Sequence, residues 1–342
     1  MSPFELHIPS VFVVCSPFQA LCATAAIKQF EIEDYKMVAC FLKGDARNEQ
    51  LKRFFSDNKI EYVSILQWRR PVSVIFNVFY RLNAIRHRVG KYRRLFIGDL
   101  CNRHLFLIGC RFVSDGSSIV YLDDGNTTIS ILKNLIPISF YGKDEILIKT
   151  ISKCRNLELS KNVCTIYSDI PNPQYCITNL DLSKLITAKQ KEPLAQDGVY
   201  IIGTNIDAYC HFLKYSKDFF INKQEELILK IKNEYPNVPI IYIPHGRDVS
   251  YYAQILCQKY GCEFCKPSVM VELEILNRPN SPKAIYGFTS SALYNLKKMY
   301  PNSRVVNILF NGNENNSCYQ DYLIVTDYYY KNGIEVLKEP FE

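Results

Sequence analysis

Two carboxylates stand side by side at Asp123 and Asp124, followed by Gly125, at the end of the apolar run Ser118–Leu122. Adjacent acids cannot both ionise freely, so one can carry a raised pKa suited to proton transfer. Glycine permits a tight turn and close approach of a ligand or another backbone. Asp-Gly is equally a common turn dipeptide, so on these residues alone a polar turn closing a strand stays open. Two further polar sets close apolar runs in the same way. His245-Gly246 follows the run 239–243, and Thr289-Ser290-Ser291 follows the run 283–287. An imidazole can exchange a proton near neutral pH. A serine pair ahead of a helix offers an anion hydroxyls and free backbone N–H groups. The ordinary alternatives are a structural histidine and an N-cap pair.

These sets need strands and helices to position them, and the chain alternates the two. Residues 11–15 read as a strand, Ser16 as an N-cap and Pro17 as the first turn of a helix continuing through 20–27. The free donors around Ser16 and Gln19 make a corner for an oxyanion or a sugar. Strands follow at 37–42, 62–66, 94–99 and 118–122, with Gly98-Asp99 ending the third of these; helices are expected at 48–56 and 104–110. Residues 140–185 look less regular. The polar stretch 189–198 reads as a linker. A second series then begins, with a strand at 199–202 ending in Gly203-Thr204-Asn205. It continues through a helix at 221–234, a strand at 239–243, a helix at 250–260, a strand at 283–287, a helix at 292–300 and a last strand at 305–309. Such alternation predicts α/β halves with parallel sheets, and ligands bind such sheets at the C-terminal strand ends. The expected division is 1–188, a linker over 189–198, and 199–342 with a tail able to pack back on the first half. Two Rossmann-like, doubly wound halves facing a central cleft describe the GT-B architecture, and that is the fold expected.

Composition narrows the classes. The 342 residues are 48% hydrophobic and 22% charged, ordinary for a globular chain of two domains. No run reaches the roughly 18 apolar residues of a membrane span, and the N-terminus lacks the basic start of a signal peptide. A cytoplasmic protein is expected, and the 13 scattered cysteines fit reduced thiols. Cys262 and Cys265 have metal-like spacing with Cys257 near, but no second pair follows at zinc-site distance. No P-loop or Gly-x-Gly-x-x-Gly occurs. The net charge of +7 is concentrated between Arg69 and Arg94, where eight Lys or Arg and no acid are interleaved with apolar residues. That spacing fits a helix with a core face and a cationic face, either merely solvated or in contact with an anionic glycan or the inner membrane surface. No nucleic-acid motif accompanies it.

Taken together, Asp123-Asp124-Gly125, His245-Gly246 and Ser290-Ser291, with the opening Ser16-Pro17-Phe18-Gln19-Ala20-Leu21, resemble in order and spacing the bacterial GT-B sialyltransferases. The nearest are the lipooligosaccharide sialyltransferases of glycosyltransferase family 52 and the capsule polysialyltransferases. The resemblance spans roughly residues 11 to 300, and it departs at one point, since the family's His-Pro is His245-Gly246 here. It implies an inverting sialyltransferase that moves sialic acid from CMP-sialic acid to a galactose or sialic acid terminus of a capsule or lipooligosaccharide. It implies Asp124 as the general base for the acceptor hydroxyl, with Asp123 as the fallback. His245 would act on the leaving phosphate, and Ser290 and Ser291 would hold that phosphate, with Thr289 and Gly246 among the donor-binding residues. Glu272 would take the ribose hydroxyls, and Gly203, Thr204 and Asn205 would line the donor side. Ser16, Gln19, Asp99 and Gly125 belong with the acceptor or cleft.

No cofactor or metal is expected, because the acids are adjacent and the metal-dependent transferases use Asp-x-Asp. Two rivals stay open: the same fold with CMP-Kdo or another CMP-activated nonulosonic acid, and an inactive GT-B protein that binds anionic glycan. Linkage and acceptor are not legible, and a homodimer is left open.

Overall fold

Apolar, β-branched runs bounded by polar strand ends predict strands buried on both faces, and that is what a computed structural model of the chain contains. It describes residues 7–67, 82–86, 88–99, 102–134, 143–182, 196–248 and 250–339. The chain divides into two units, Met1–Leu185 and Ile186–Glu342.

In the first unit, β1 (Ser10–Val14), β2 (Tyr35–Leu42), β3 (Tyr62–Gln67), β4 (Tyr92–Ile97), β5 (Val113–Tyr121), β6 (Glu158–Thr165) and β7 (Cys176–Asn179) form a parallel sheet ordered β3-β2-β1-β4-β5-β6-β7. The order reverses between β1 and β4, the position at which a doubly wound sheet opens a crevice. Every residue of β1 is buried. On one face Phe12 stacks on its cross-strand partner Phe96, with centroids 4.3 Å apart. On the other, Val11 and Val13 join Leu95, Ile97 and Ile119 under α3 (Arg103–Gly109), whose Leu105 and Phe106 are fully buried. Fully burying each such side chain is worth about 1.5–3 kcal/mol. Between β1 and β2 runs α1 (Pro17–Gln29), capped by Ser16; its buried alanines Ala20, Ala23, Ala25 and Ala26 let it lie close to the sheet. The β2–β3 connection carries α2 (Arg47–Asp57), and α4 (Asn126–Asn134) and α5 (Lys143–Cys154) follow β5. Arg155, just after α5, is fully buried and ties three parts of the unit, donating to Asp115 Oδ1 at 2.8 Å and to the carbonyls of Cys110 and Val113.

The second unit repeats the plan. Its β8 (Gln196–Ile202), β9 (Ile240–Ile243), β10 (Glu263–Phe264), β11 (Ser281–Gly287), β12 (Arg304–Leu309) and β13 (Glu335–Lys338) are ordered β10-β9-β8-β11-β12-β13, all parallel, reversing between β8 and β11. The helices are α6 (Ile206–Leu213), α7 (Lys217–Glu234), α8 (Tyr252–Tyr260), α9 (Val271–Leu276), α10 (Ser291–Met299) and α11 (Ser317–Lys331). An aromatic core of Tyr209, Phe220, Phe288 and Phe310 fills the space beneath α6 and α7, with Tyr209–Phe220 at 5.1 Å and Phe220–Phe288 at 5.3 Å.

Several expectations need correction. Residues 140–185 hold α5, β6 and β7; the two strands have polar, weakly alternating sequences, and β7 is the edge of the sheet. The run at 305–309 is not the last strand: the tail adds α11 and β13, and β13 pairs with β12 at the edge of the second sheet. Gln196–Gly198, read as the end of a linker, open β8. The basic stretch is not one helix to Arg94, because β4 starts at Tyr92 and Arg94 is 2% exposed. Arg88 donates to the carbonyl of Arg111 and to Asn83, and Lys91 pairs with Asp34 at 2.7 Å. Arg69, Arg70 and Arg81 lie outside the described residues. Among the described residues no helix is long and apolar enough to cross a membrane.

Candidate active site

Strand ends β1, β4 and β5 meet at the reversal point of the first sheet, and each delivers predicted residues there. Beyond β1, Ser16 caps α1 by accepting from the Gln19 N–H at 3.2 Å. That places Gln19 in the first turn, with its amide pointing along the sheet end. Its Oε1 accepts from the Cys15 N–H at 2.8 Å, and its Nε2 donates to Asp124 Oδ1 at 2.8 Å. Beyond β4, Gly98 leaves room for that amide: a Cβ there would fall 2.7 Å from Gln19 Oε1. Asp99 follows, half-buried. Beyond β5, Gly125 adopts a left-handed φ of 66°, which lets the chain turn sharply into α4.

The two acids of the pair do different work. Asp123 is fully buried, and both oxygens are used: Oδ1 accepts from Thr165 Oγ1 at 2.6 Å and Oδ2 from the Ile166 N–H at 2.7 Å. It ties the end of β5 to the end of β6. Burial pushes its pKa up to about 7 against those bonds. As the fallback base, Asp123 is therefore corrected to a structural acid. Asp124 is partly exposed, with its N–H donating to Thr128 Oγ1 at 3.1 Å. Loss of surrounding water, and then the charge of Asp99, push its pKa up to about 8, while the Gln19 bond and Arg47 oppose the rise. Such an acid is suited to taking a proton from a hydroxyl near neutral pH. Gln19, expected beside an acceptor, is 1% exposed with both amide ends taken, so it supports Asp124 and is closed to a ligand.

At the β8/β11 reversal of the second unit, the ends of β8, β9 and β11 lie together. Gly203 ends β8, where a Cβ would fall 2.8 Å from the Tyr242 hydroxyl; Tyr242 in turn donates to the buried Gln224 at 2.6 Å. Thr204 is partly exposed, and Asn205 caps α6 by accepting from the Ala208 N–H at 3.2 Å. Beyond β9, His245 Nδ1 accepts from the Arg247 N–H at 3.1 Å, so the ring proton sits on Nε2. Gly246 and Arg247 form the turn, closed by the Asp248 N–H on the His245 carbonyl at 2.8 Å.

Beyond β11, Thr289 holds a left-handed φ of 46°, which costs a β-branched residue. Asn307 of β12 secures it, accepting from the Thr289 N–H at 2.7 Å and donating to Thr326 Oγ1 at 3.0 Å. Tyr329 of α11 donates to the Ser290 carbonyl at 2.8 Å. Ser290 caps α10 by accepting from the Ala292 N–H at 3.4 Å, and Ser291 is the first residue of that helix. The turn therefore presents hydroxyls beside the N-terminal end of α10.

Glu272, expected at the ribose hydroxyls, lies in α9. It is 5% exposed on α9 and accepts from Asn295 Nδ2 at 2.7 Å, fixing α9 to α10. In the Cys262/Cys265 pair, Cys265 Sγ donates to Glu274 Oε1. Among the described residues, no group of three or more His, Cys, Asp or Glu is placed to hold a metal ion.

Sequence reasoning did not pick out Thr165, Asn307, Thr326 or Tyr329, since a single polar residue outside any motif carries no spacing signal. Arg47, paired with Asp45 at 3.1 Å, follows β2 closely enough that the same strand-end logic would have found it.

No protein-family model and no curated protein matches the sequence. The fold, by contrast, is similar to that of solved structures. The 2,6-sialyltransferase of a Photobacterium species, in a ternary complex with the donor product CMP and the acceptor substrate lactose, aligns with a TM-score of 0.52. The alignment covers 96% of this chain and 78% of that one at 12% identity. A putative UDP-N-acetylglucosamine 2-epimerase from Listeria monocytogenes aligns with a TM-score of 0.54, covering 94% and 87% at 8% identity. Two parallel α/β units and these neighbours establish the GT-B fold.

Proposed function

We propose that the protein is an inverting, metal-independent sialyltransferase, moving sialic acid from CMP-sialic acid to a galactose or sialic acid terminus of a bacterial capsule or lipooligosaccharide. The observation that carries the reading is Asp124, a partly exposed strand-end carboxylate with one oxygen held by Gln19 and a pKa pushed up to about 8. In its ionised form it takes the proton of the attacking hydroxyl. In the second unit, His245 Nε2–H, the Ser290 and Ser291 hydroxyls and the N-terminal N–H groups of α10 stabilise the charge that develops on the departing CMP. The order of the motifs supports sialyl transfer over other GT-B reactions, and the structural neighbour solved with CMP and lactose is consistent with it. Contact of the basic stretch with anionic glycan or the inner membrane belongs to the same proposal; of its described members, Arg86 is exposed.

The test is CMP release from CMP-sialic acid with lactose or an oligosialic acid as acceptor. Release that disappears in Asp124→Ala and His245→Ala, and that rises with pH toward a plateau above about 8, upholds the reading. Release from CMP-Kdo alone changes the donor. Conversion of UDP-N-acetylglucosamine, or glycan binding without release of CMP, overturns it.

A further inference from the structure

The Gln19 side chain is held by three strand ends, and its sense is fixed. The Cys15 N–H can only donate, so the amide oxygen must face it and the amide nitrogen must face Asp124. Gly98 closes the third side, where any Cβ would collide with the amide. Ser16 fixes the Gln19 backbone. One oxygen of Asp124 is consequently committed to Gln19, and Oδ2 has no hydrogen-bond partner among the described residues.

We infer that Gln19 is a positioning residue: it locks Asp124 in one rotamer, presents Oδ2 to the reacting hydroxyl, and counteracts Asp99 in setting how readily Asp124 gives up its proton. The catalytic meaning of this rests on the reading of Asp124 as the base. The charged and titratable groups facing Asp124 are Asp99 after β4, Arg47 at the start of α2, its neighbour Asp123, and Cys15 after β1. Cys15 is pushed up to about 12 by burial and stays neutral. Arg47 is already paired with Asp45. Two opposed influences are left within reach of substitution: an amide donor that favours the carboxylate, and an acid that disfavours it.

The experiment is a carbon-13 NMR titration of the full chain labelled at aspartate carboxyl carbons, with Asp124 assigned through Asp124→Asn. Gln19→Glu keeps an oxygen for the Cys15 N–H but turns the donor into a like charge. It should raise the Asp124 midpoint by about one pH unit or more. Asp99→Asn should lower it by a comparable step. Gln19→Met, nearly the same in volume, should also raise it, and it serves if Gln19→Glu does not fold. An Asp124 midpoint that stays at the wild-type value in folded Gln19 variants overturns the inference. So does a shift of the same sign in Asp99→Asn. Because the titration needs no substrate, it decides the role of Gln19 even if CMP-sialic acid is not turned over. Where turnover is measured, Gln19→Met should lower kcat about tenfold with KM unchanged, and the ascending limb of its pH profile should follow the NMR midpoint.

Discussion

The two strand-end corners sit at equivalent places in their sheets, yet they are built from opposite materials. The first is made of side chains: two acids in a poorly solvated pocket, each held through named donors from beyond another strand end. Its useful property, a raised carboxylate pKa, comes from removing water. The second is made mainly of backbone: capped helix starts, a histidine oriented by a peptide N–H, and a turn forced into a left-handed conformation. Its useful property is a set of fixed donors. Burial raises the energy of a charge that the first corner needs only transiently, whereas the second offers donors to a charge that arrives from outside. A proton acceptor and an anion cradle call for these two constructions respectively.

The contrast breaks most easily through activity. Asp124→Ala should cost about 10³-fold in turnover, within the range for a positioned base, while Ser290→Gly leaves most backbone donors in place and should cost far less. Comparable losses in both variants would mean that the first corner also works through its donors. Stability should divide the corners next. Asn307 is fully buried and joins the Thr289 N–H to Thr326, so Asn307→Ala strands a buried donor and should cost about 3 kcal/mol by denaturant unfolding.

Asp124→Asn should act in the other direction. Asp124 has a folded-state pKa above the ordinary carboxylate value, so the folded chain holds the extra proton more tightly than the unfolded one. The stability that Asp124 contributes is therefore full below about pH 4 and is lost as pH rises through about 8. The asparagine keeps an acceptor for Gln19 and cannot ionise. After discounting for the partial exposure of the site, it should be more stable than wild type by about 2 kcal/mol at pH 9 and by nothing near pH 4. A gain that does not depend on pH would remove burial as the cause of the raised pKa.

Much of this was legible in the residues, and the failures share a cause. Fully apolar runs such as Val11–Val14 and Ile240–Ile243 declare buried parallel strands, and polar residues soon after them declare strand ends. The strands Glu158–Thr165 and Cys176–Asn179 do not: the second is the edge of its sheet, only partly buried and in no need of an apolar run, and the first, beside it, places its one pair of adjacent apolar residues at its end. At the site, residue type showed which groups could do chemistry but not which were already engaged. Asp123 and Asp124 are identical as letters; the bonds from Thr165 and Ile166, some 40 residues along the chain, separate a structural acid from an available one. Gln19 misleads for the same reason, both ends of its amide satisfied by partners that only the fold supplies.

The smallest effect sharpens the comparison most, because each corner begins with a serine doing the same local task. Ser16 caps α1 through the Gln19 N–H, and Ser290 caps α10 through the Ala292 N–H. Replacing either by alanine removes one side-chain acceptor from a helix start and should cost about 1 kcal/mol of stability. The functional consequences should part. Ser16→Ala loosens the turn that carries Gln19, so its effect should appear as a changed pH dependence of turnover with the KM for CMP-sialic acid unmoved. Ser290→Ala removes a hydroxyl from the proposed phosphate cradle, so its effect should appear in that KM with the pH dependence unmoved. Steady-state kinetics between pH 6 and 9 separate the two. If both variants changed the same parameter, the division of labour between a solvent-poor base and a backbone-built anion site would be wrong, whatever the reaction.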